Sequence, residues 1–271
     1  MSTDQFSEYL DAATEAARRG AAELERWRKR FVVREKARAD LVTDADHASQ
    51  EAIKDYLLGR FPDHLFVGEE DCFGKPIEAT RPPADAPPTW VVDPLDGTVN
   101  YVHDVPAYCV SVGLMVEGKP AVGAIYDPRV GELFTAATGL GAKLNGEPIR
   151  VSATETLRDS LISTGFPANW EAQLRNLEAW KRVAYHAQAL RRGGSTALNL
   201  AYVAAGRFDA YWGYDNWAWD VLAGVVLIAE AGGTLTTVGG DAFDPFRADV
   251  CASNGRVHRE LLGVLAGEQP A

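Results

Sequence analysis

The segment that most constrains the fold of this chain is WVVDPLDGT at residues 90–98. Three apolar residues predict a buried strand, and two aspartates, a proline, a glycine and a threonine follow within eight positions of its start. Pro94 fixes its own φ, whereas Gly97 permits a positive φ or the close approach of another group. The segment therefore has two interpretations: an ordinary Asp-Pro and Asp-Gly turn, or a cluster of hard oxygen ligands for a divalent cation.

The composition of the chain narrows its possible partners. Its 271 residues carry a net charge of −11, which argues against a nucleic-acid or anionic-membrane partner, because both bind basic patches. A phosphorylated small molecule remains compatible, since a bound cation can reverse the local sign. Cys72, Cys109 and Cys251 form no closely spaced pair, so neither a disulfide framework nor a zinc site is predicted. Without a signal-type or membrane-spanning apolar run, we expect a cytoplasmic protein.

The hydrophobic pattern predicts alternating helices and strands. Helical periodicity is present at residues 4–30, 44–58, 171–188, 195–205 and 219–231, with Thr43 or Asp44 as the cap of the second helix. Strands are predicted at 66–67, 90–92, 108–116, 121–126, 132–135, 143–144, 148–151, 161–163, 207–212 and, last, 234–237. This order predicts a layered α/β or α+β architecture. We expect one compact catalytic unit made of two halves, residues 1–152 and 153–271.

Acidic residues recur where predicted elements begin or end. Asp46 lies at a helix start, Glu69 at a strand end and Asp220 at the head of an apolar helix, in addition to the two aspartates of the 90–98 segment. Each has an ordinary explanation as a cap or as a first-turn carboxylate facing the helix dipole. Because five carboxylates share this placement, one common site for two or three cations becomes an attractive hypothesis.

Several segments, taken together, resemble the two signatures of the inositol monophosphatase family. They are DLVT at 40–43 with Asp46, GEE at 68–70, the 90–98 segment with NY at 100–101, GS at 194–195, RFDA at 207–210, WD at 219–220 and AEAGG at 229–233. The resemblance covers roughly residues 10–265, and the two signatures together are highly specific. It implies an αβαβα sandwich, the layered α+β fold of the inositol monophosphatases and sugar phosphatases, in a protein that is often a homodimer.

The same resemblance implies Mg²⁺-dependent, lithium-sensitive hydrolysis of a phosphate monoester with two to three ions per site. The implied metal ligands are Glu69, Asp93, the carbonyl of Leu95, Asp96 and Asp220, and Glu69 also fits a third ion through water. The implied catalytic residues are Glu69, Thr98 and Asp46, with Asp46 accepting from the Thr98 hydroxyl that orients the attacking water. The expected substrate-binding residues are Asp96, Gly97, Thr98, Gly194, Ser195, Thr196 and Asp215.

Two positions depart from the inositol-specific pattern of this family. Gly213 replaces an acidic residue that contacts ring hydroxyls, and Trp217 replaces a basic residue or histidine. Asp215 or Asn216 can substitute, since either side chain bonds a hydroxyl. The neighbouring aromatic residues have two interpretations, packing in the core or in a dimer, which we favour, and a wall suited to an imidazole or purine ring. These residues are Trp212, Tyr214, Trp217 and Trp219.

The substrate hypotheses follow from the family resemblance and from the two departing positions. Inositol-1-phosphate ranks first, histidinol phosphate second, and 3′-phosphoadenosine 5′-phosphate and fructose 1,6-bisphosphate follow. A hypothesis of a different class is a non-catalytic interaction protein that keeps the fold. The complete set of implied ligands, together with Thr98, argues against that second class, because a protein without catalysis has no need of all of them.

Overall fold

The structure is a computed structural model, and it describes residues 2–37, 40–72, 74–83 and 85–268. The helices in these ranges are α1 (Thr3–Trp27), α2 (Asp44–Arg60), α3 (Glu69–Cys72), α4 (Thr98–Val102), α5 (Trp170–His186), α6 (Thr196–Ala204), α7 (Ala218–Glu230) and α8 (His258–Ala266). The strands are β1 (Val33–Ala37), β2 (Asp40–Thr43), β3 (Leu65–Gly68), β4 (Thr89–Asp96), β5 (Cys109–Val116), β6 (Lys119–Asp127), β7 (Glu132–Ala137), β8 (Gly141–Leu144), β9 (Glu147–Pro148), β10 (Leu161–Thr164), β11 (Ala189–Arg191), β12 (Ala210–Gly213), β13 (Thr234–Thr236) and β14 (Val250–Ser253).

The elements stack in five layers. Helices α1 and α2 cover one face of a seven-stranded sheet with the order β3-β4-β5-β6-β7-β8-β9. Helices α6 and α7 fill the space between that sheet and a five-stranded sheet with the order β11-β10-β12-β14-β13. Helices α5 and α8 cover the outer face of the second sheet. The predicted αβαβα sandwich is confirmed.

Small side chains allow the outer helix layer to pack closely. The buried face of α1 consists mainly of alanines and Gly20. A Cβ built on Gly20 would lie 2.6 Å from Cδ1 of Ile53 on α2, so a larger residue there would force the two helices apart. This contact fixes the position of α2, whose first turn carries Asp46, relative to α1.

The structure corrects three strand predictions. The strand predicted at 207–212 begins at Ala210, because Arg207 forms a bidentate ion pair with Glu132 and the Asp209 carboxylate bonds the backbone N–H of Leu161. The strand predicted at 148–151 ends at Pro148. The strand predicted as last lies at the edge of its sheet, and β14 and α8 follow it. The four residues of β14, three of them apolar, are too short a signal for a strand assignment.

The two sheets come from separate parts of the chain. One is built from residues 65–148 and the other from 161–253, yet α7 packs against strands of the first sheet. The division into halves 1–152 and 153–271, whose residues 1 and 269–271 lie outside the described ranges, stays a prediction about folding units. No helix in the described ranges is both long and apolar enough to span a membrane.

Candidate active site

Strand β4 carries the two aspartates of the 90–98 segment into the protein interior. Every residue of the strand is buried, and its pairing with β5 is interrupted between Asp93 and Asp96. The interruption falls at Pro94, which has no N–H to donate to a neighbouring strand. The Pro94 carbonyl accepts instead from the Ser49 hydroxyl at 2.9 Å, and the Leu95 N–H donates to Asp93 Oδ1 at 3.0 Å. The backbone between the aspartates is therefore available for contacts outside the sheet.

The register of the neighbouring strand places Glu69 beside this turn. Strands β3 and β4 run parallel, with Gly68 opposite Val92. Because the next residue of each strand continues in the same direction, Glu69 and Asp93 emerge side by side at the carboxyl ends of the two strands. The spacing in sequence between these residues carries no sign of this proximity, which depends on the register of the pair.

Burial and like charge dominate the electrostatics of this region. Burial raises the pKa of Asp93 well above its usual value, and the charges of Glu69, Asp96 and Asp220 raise it further. Burial also raises the pKa of Asp96 to about 6, although the bonds from Ser195 Oγ and the Ala197 N–H, each at 2.6 Å, oppose the shift. The structure thus brings the four predicted carboxylates within electrostatic reach of one another.

These carboxylates do not yet form a closed ligand shell. Within the described ranges, no three acidic, imidazole or thiol side chains meet at distances suited to one metal ion. Asp96 Oδ2 is held by Ser195 and Ala197, and Asp220 Oδ2 accepts from the Trp217 N–H at 2.8 Å. The predicted metal ligands stay a prediction.

Asp46 combines a structural role with a place in the site. Its Oδ2 accepts from both the N–H and the hydroxyl of Thr43, at 2.8 and 2.6 Å, which caps helix α2. Its Oδ1 lies 3.3 Å from the Thr98 hydroxyl, and that hydroxyl also lies 3.1 Å from the Leu95 carbonyl. Burial, and the charges of Glu69 and Glu70, raise the pKa of Asp46 to about 7. The two interpretations of this residue, cap and site residue, are therefore compatible.

The predicted substrate-binding residues other than Asp96 divide between two cavities. The first, which we call the acidic cavity, has a volume of about 590 Å³ and is lined by Glu69, Asp215, Trp217, Trp219 and Asp220, among others. The second, the glycine-loop cavity, has a volume of about 320 Å³, and its lining includes Gly97, Thr98, Gly194, Ser195 and Thr196. Pro167 and Ala168 line both cavities, so the two adjoin each other.

Asn100 is a residue of this region for which no role was predicted from the sequence. Its Nδ2 donates to the carbonyls of Ala107, at 2.6 Å, and Gly193, at 2.9 Å. It thereby joins α4 to the loop at residues 193–195 that precedes α6, which we call the glycine loop. A Cβ built on Gly194, whose φ is +86°, would lie 2.7 Å from Asn100 Nδ2, so this contact requires glycine there. Only the tertiary structure brings these distant segments together.

The aromatic segment divides between the core and the site. Trp212 is fully buried, and Tyr214 is buried beneath the guanidinium of Arg175, which lies 3.9 Å from its ring centroid. The packing interpretation therefore holds for these two residues. Trp217 and Trp219, in contrast, both line the acidic cavity. No dimer contact is needed to explain any of the four.

Neighbouring side chains fill the space beside Gly213, one of the two positions that depart from the inositol-specific pattern. A Cβ built on Gly213 would lie 2.5 Å from the Tyr211 hydroxyl and 2.8 Å from Asn216 Nδ2. The Asn216 side chain already makes hydrogen bonds within the protein. Its Nδ2 donates to the Ala248 carbonyl at 3.0 Å, and its Oδ1 lies 3.3 Å from the Tyr211 hydroxyl. Of the two proposed substitutes, Asp215 alone lines the acidic cavity.

Comparison with known proteins identifies the family. The profile described as the inositol monophosphatase family matches residues 5–270. The chain belongs to the inositol monophosphatase family. Members of this family are phosphoric monoester hydrolases, so the protein is an enzyme of this class. The family assignment that we predicted from the two sequence signatures is confirmed.

Individual relatives cover almost the whole chain. The inositol-1-monophosphatase of Synechocystis sp. is 39% identical over 269 residues, which are 98% of this chain and 91% of the relative. The fructose-1,6-bisphosphatase/inositol-1-monophosphatase of Aquifex aeolicus is 37% identical over 267 residues, 96% of each chain. The solved inositol monophosphatase of Anabaena (Nostoc) sp. has a TM-score of 0.84 at 38% identity and covers 98% of both chains.

The raised carboxylate pKa values predict how stability depends on pH when a chelator is present. An unfolded aspartate releases its proton near pH 4. Folded Asp46 and Asp96 hold theirs up to about pH 7 and about pH 6, so the folded state binds more protons across this window. The free energy of unfolding therefore falls as pH rises, by on the order of 2 kcal/mol between about pH 5 and pH 7.5.

Urea unfolding in EDTA at the two pH values measures this decline. The variant Asp46→Asn removes one of the groups with a raised pKa and is expected to show a shallower decline. A free energy of unfolding that stays constant or rises across the window would contradict the electrostatic description of the site.

Proposed function

We propose that the protein hydrolyses a small-molecule phosphate monoester in a Mg²⁺-dependent reaction, with inositol-1-phosphate as the first substrate to test. The observation that carries the proposal is the acidic set of Glu69, Asp93, Asp96 and Asp220, in which Asp93 and Asp96 are buried and the charges of the other three raise the pKa of Asp93, beside the Gly97–Thr98 turn. Four like charges around two buried carboxylates are unfavourable unless cations neutralise them. Family membership favours an enzyme over the non-catalytic interaction protein.

The chemistry of the donor set fits magnesium. Every predicted ligand is a carboxylate or a carbonyl oxygen, as hard divalent cations require. The family is generally metal-dependent. Glu69, Asp93, the Leu95 carbonyl, Asp96 and Asp220 would hold two to three ions. Bound there, Mg²⁺ would supply charge neutralisation of the phosphoryl group and activation of water.

Side chains of the protein would orient the attacking water and accept its proton. The Thr98 hydroxyl lies between two acceptors, Asp46 Oδ1 at 3.3 Å and the Leu95 carbonyl at 3.1 Å. With its proton directed to one of these, the hydroxyl oxygen can accept a hydrogen bond from the attacking water and orient it. A carboxyl group with a pKa of about 7, as in Asp46, is suited to receive a proton near neutral pH.

We assign the phosphate to the glycine-loop cavity and the leaving group to the acidic cavity. We assign the phosphate to the backbone N–H groups of Gly97 and Thr98, since both residues line the glycine-loop cavity. Gly194, Ser195 and Thr196 line the same cavity at the start of α6, where N–H groups can meet an anion or a hydroxyl. The two cavities adjoin at Pro167 and Ala168, so one ester can extend from one into the other.

Names of relatives support two substrate assignments. The Synechocystis relative is named for inositol-1-phosphate chemistry, and the Aquifex relative is named for fructose 1,6-bisphosphate as well. Fructose 1,6-bisphosphate is therefore a candidate in addition to inositol-1-phosphate and histidinol phosphate. We further propose a lithium-sensitive, cytoplasmic homodimer; the three free, buried cysteines are compatible with a reducing compartment.

A phosphate-release assay tests this function. Inositol-1-phosphate, fructose 1,6-bisphosphate, histidinol phosphate and glycerol 2-phosphate are each supplied with excess Mg²⁺ or with EDTA. We expect release from inositol-1-phosphate that falls at least about 100-fold in EDTA and returns when Mg²⁺ is restored. Release that persists after exhaustive chelation, or its absence from every ester with Mg²⁺ present, would reject the proposal.

A further inference from the structure

Two tryptophans form a flat platform in the acidic cavity. The rings of Trp217 and Trp219 are stacked with centroids 5.0 Å apart and planes 3° from parallel. Trp219 is 5% exposed and packs in a cluster with Leu222 and Phe246, whereas Trp217 lies at the edge of that cluster and is more exposed. Trp219 therefore supports the inner face of the stack, and Trp217 is the ring that presents a surface to the cavity.

Asp215 supplies a negative charge that lines the same cavity. Among the described residues, no hydrogen-bond donor or cation contacts its carboxylate. Its φ of +59° lies in the left-handed region, which aspartate adopts more readily than most residues. The next residue is anchored, because the Asn216 N–H donates to the Ala248 carbonyl at 2.8 Å.

Several polar groups around this platform are already engaged in other contacts. Lys75, which lines the cavity, donates from Nζ to the Asp71 carbonyl at 3.0 Å. The space above Gly213 is occupied, and the Asn216 amide is bonded to Ala248 and Tyr211. Asn169, also in the lining, uses its side-chain oxygen to cap α5 by accepting from the Ala172 N–H. An aromatic face with one unpaired carboxylate suits a planar ring that carries N–H donors better than a polyol.

We propose that the acidic cavity binds a planar nitrogen heterocycle as the leaving-group portion of the substrate, with the ring stacked on Trp217 and an N–H directed to Asp215. The inference rests on the proposed phosphatase function and narrows its substrate class. The cavity volume of about 590 Å³ accommodates such a ring together with the reacting phosphate ester. Trp217 is then the residue that determines specificity, and Asp215 is a binding residue.

Steady-state kinetics with Mg²⁺ test this inference on the intact enzyme. The probes are histidinol phosphate, which carries an imidazole ring, inositol-1-phosphate, and glycerol 2-phosphate, which has no ring. We expect kcat/KM for histidinol phosphate to exceed that for inositol-1-phosphate by about 10-fold or more. In Trp217→Ala, the ratio of kcat/KM for histidinol phosphate to that for glycerol 2-phosphate is expected to fall about 10-fold, mainly through KM.

Three further variants separate recognition from general damage. Trp217→Phe keeps an aromatic face and is expected to restore most of the ratio. Asp215→Asn removes the charge and is expected to lower the ratio about 5-fold. Tyr185→Ala removes an aromatic ring that is 87% exposed and is expected to leave all three substrates unchanged. The Trp217 N–H that bonds Asp220 is a backbone group, so these replacements retain it.

The outcomes distinguish this inference from the proposed function. Mg²⁺-dependent hydrolysis with inositol-1-phosphate preferred, or a Trp217→Ala variant that loses activity equally on all three esters, would overturn the heterocycle site and leave the phosphatase function standing. Failure to release phosphate from any ester would reject both. Competitive inhibition by free histidinol provides a second measure, and we expect Trp217→Ala to weaken it about 10-fold.

Discussion

Replacing Asp93 with asparagine is expected to abolish phosphate release while leaving the protein folded. Asp93 is buried, and its pKa is raised by burial and by the charges of Glu69, Asp96 and Asp220. Asparagine keeps an oxygen that can accept from the Leu95 N–H but removes the charge that would bind a cation. We therefore expect kcat to fall at least about 1,000-fold.

The same replacement is expected to stabilise the protein when no metal is bound. Removing one of several buried like charges relieves repulsion, so the melting temperature in EDTA should rise by roughly 2–6 °C. Added Mg²⁺ should raise the melting temperature of the wild type much more than that of the variant. The opposite signs of the effects on activity and stability make this prediction specific.

Asp127→Asn is the matched control for this experiment. Asp127 is also buried, with a pKa raised by burial, but its carboxylate accepts from the backbone N–H groups of Arg129 and Val130 at the end of β6. Its replacement should leave Mg²⁺-dependent turnover close to that of the wild type. Near-wild-type turnover in Asp93→Asn would instead show that the ligand assignment is wrong.

Replacing Gly97 with alanine is expected to damage both stability and turnover. Gly97 has a φ of +101°, and an added Cβ would lie 2.9 Å from the Ala107 carbonyl oxygen. A backbone atom cannot rotate away as a flexible side chain can, so the turn between β4 and α4 must shift. We expect the free energy of unfolding to fall by roughly 2–4 kcal/mol.

The displacement also affects the residues that flank Gly97. Thr98 begins α4, and its hydroxyl lies near Asp46 and the Leu95 carbonyl. Because a shift of about 1 Å in a positioning group can cost about 100-fold in rate, kcat/KM should fall by that order. Urea unfolding and the phosphate-release assay measure the two effects separately.

Gly146→Ala separates backbone strain from steric conflict. Gly146 has a φ of +89°, and a Cβ there meets nothing within 4 Å. It lies in the turn between β8 and β9, so its replacement should cost roughly 1 kcal/mol of stability and leave turnover unchanged. If Gly97→Ala were no more harmful than Gly146→Ala, the contact with Ala107 would not constrain the turn.

The sequence predicted most of the fold because long periodic segments carry their own signal. The helices α1, α2, α5, α6 and α7 all lie within a few residues of their predicted bounds. The second helix begins at its predicted cap, where the Thr43 hydroxyl accepts from the Ala45 N–H. The hairpin of β1 and β2, together with β11, β14 and α4, went unpredicted because segments of three to five residues show too little periodicity.

The candidate site also has features that the sequence predicted and features that it did not. The signatures identified the family and the acidic residues, because those residues are local in sequence and specific in type. Three features had no signal in the sequence: the contacts of Asn100 with Ala107 and Gly193, the hydrogen bonds of the Asn216 amide, and the stack of Trp217 on Trp219. These features depend on contacts between segments that are distant in the chain or on the direction in which a side chain points.

The sequence alone determined the alternation of helices and strands, the family, and the acidic and hydroxyl groups from which a site can be built. Only the tertiary structure decided which of those groups meet. Parallel pairing of β3 with β4 sets Glu69 beside Asp93, and the packing of α2 brings Asp46 to Thr98. The physical reason is that side-chain type is a property of a residue, whereas proximity and burial, which set charge and pKa in this site, arise from packing between distant segments.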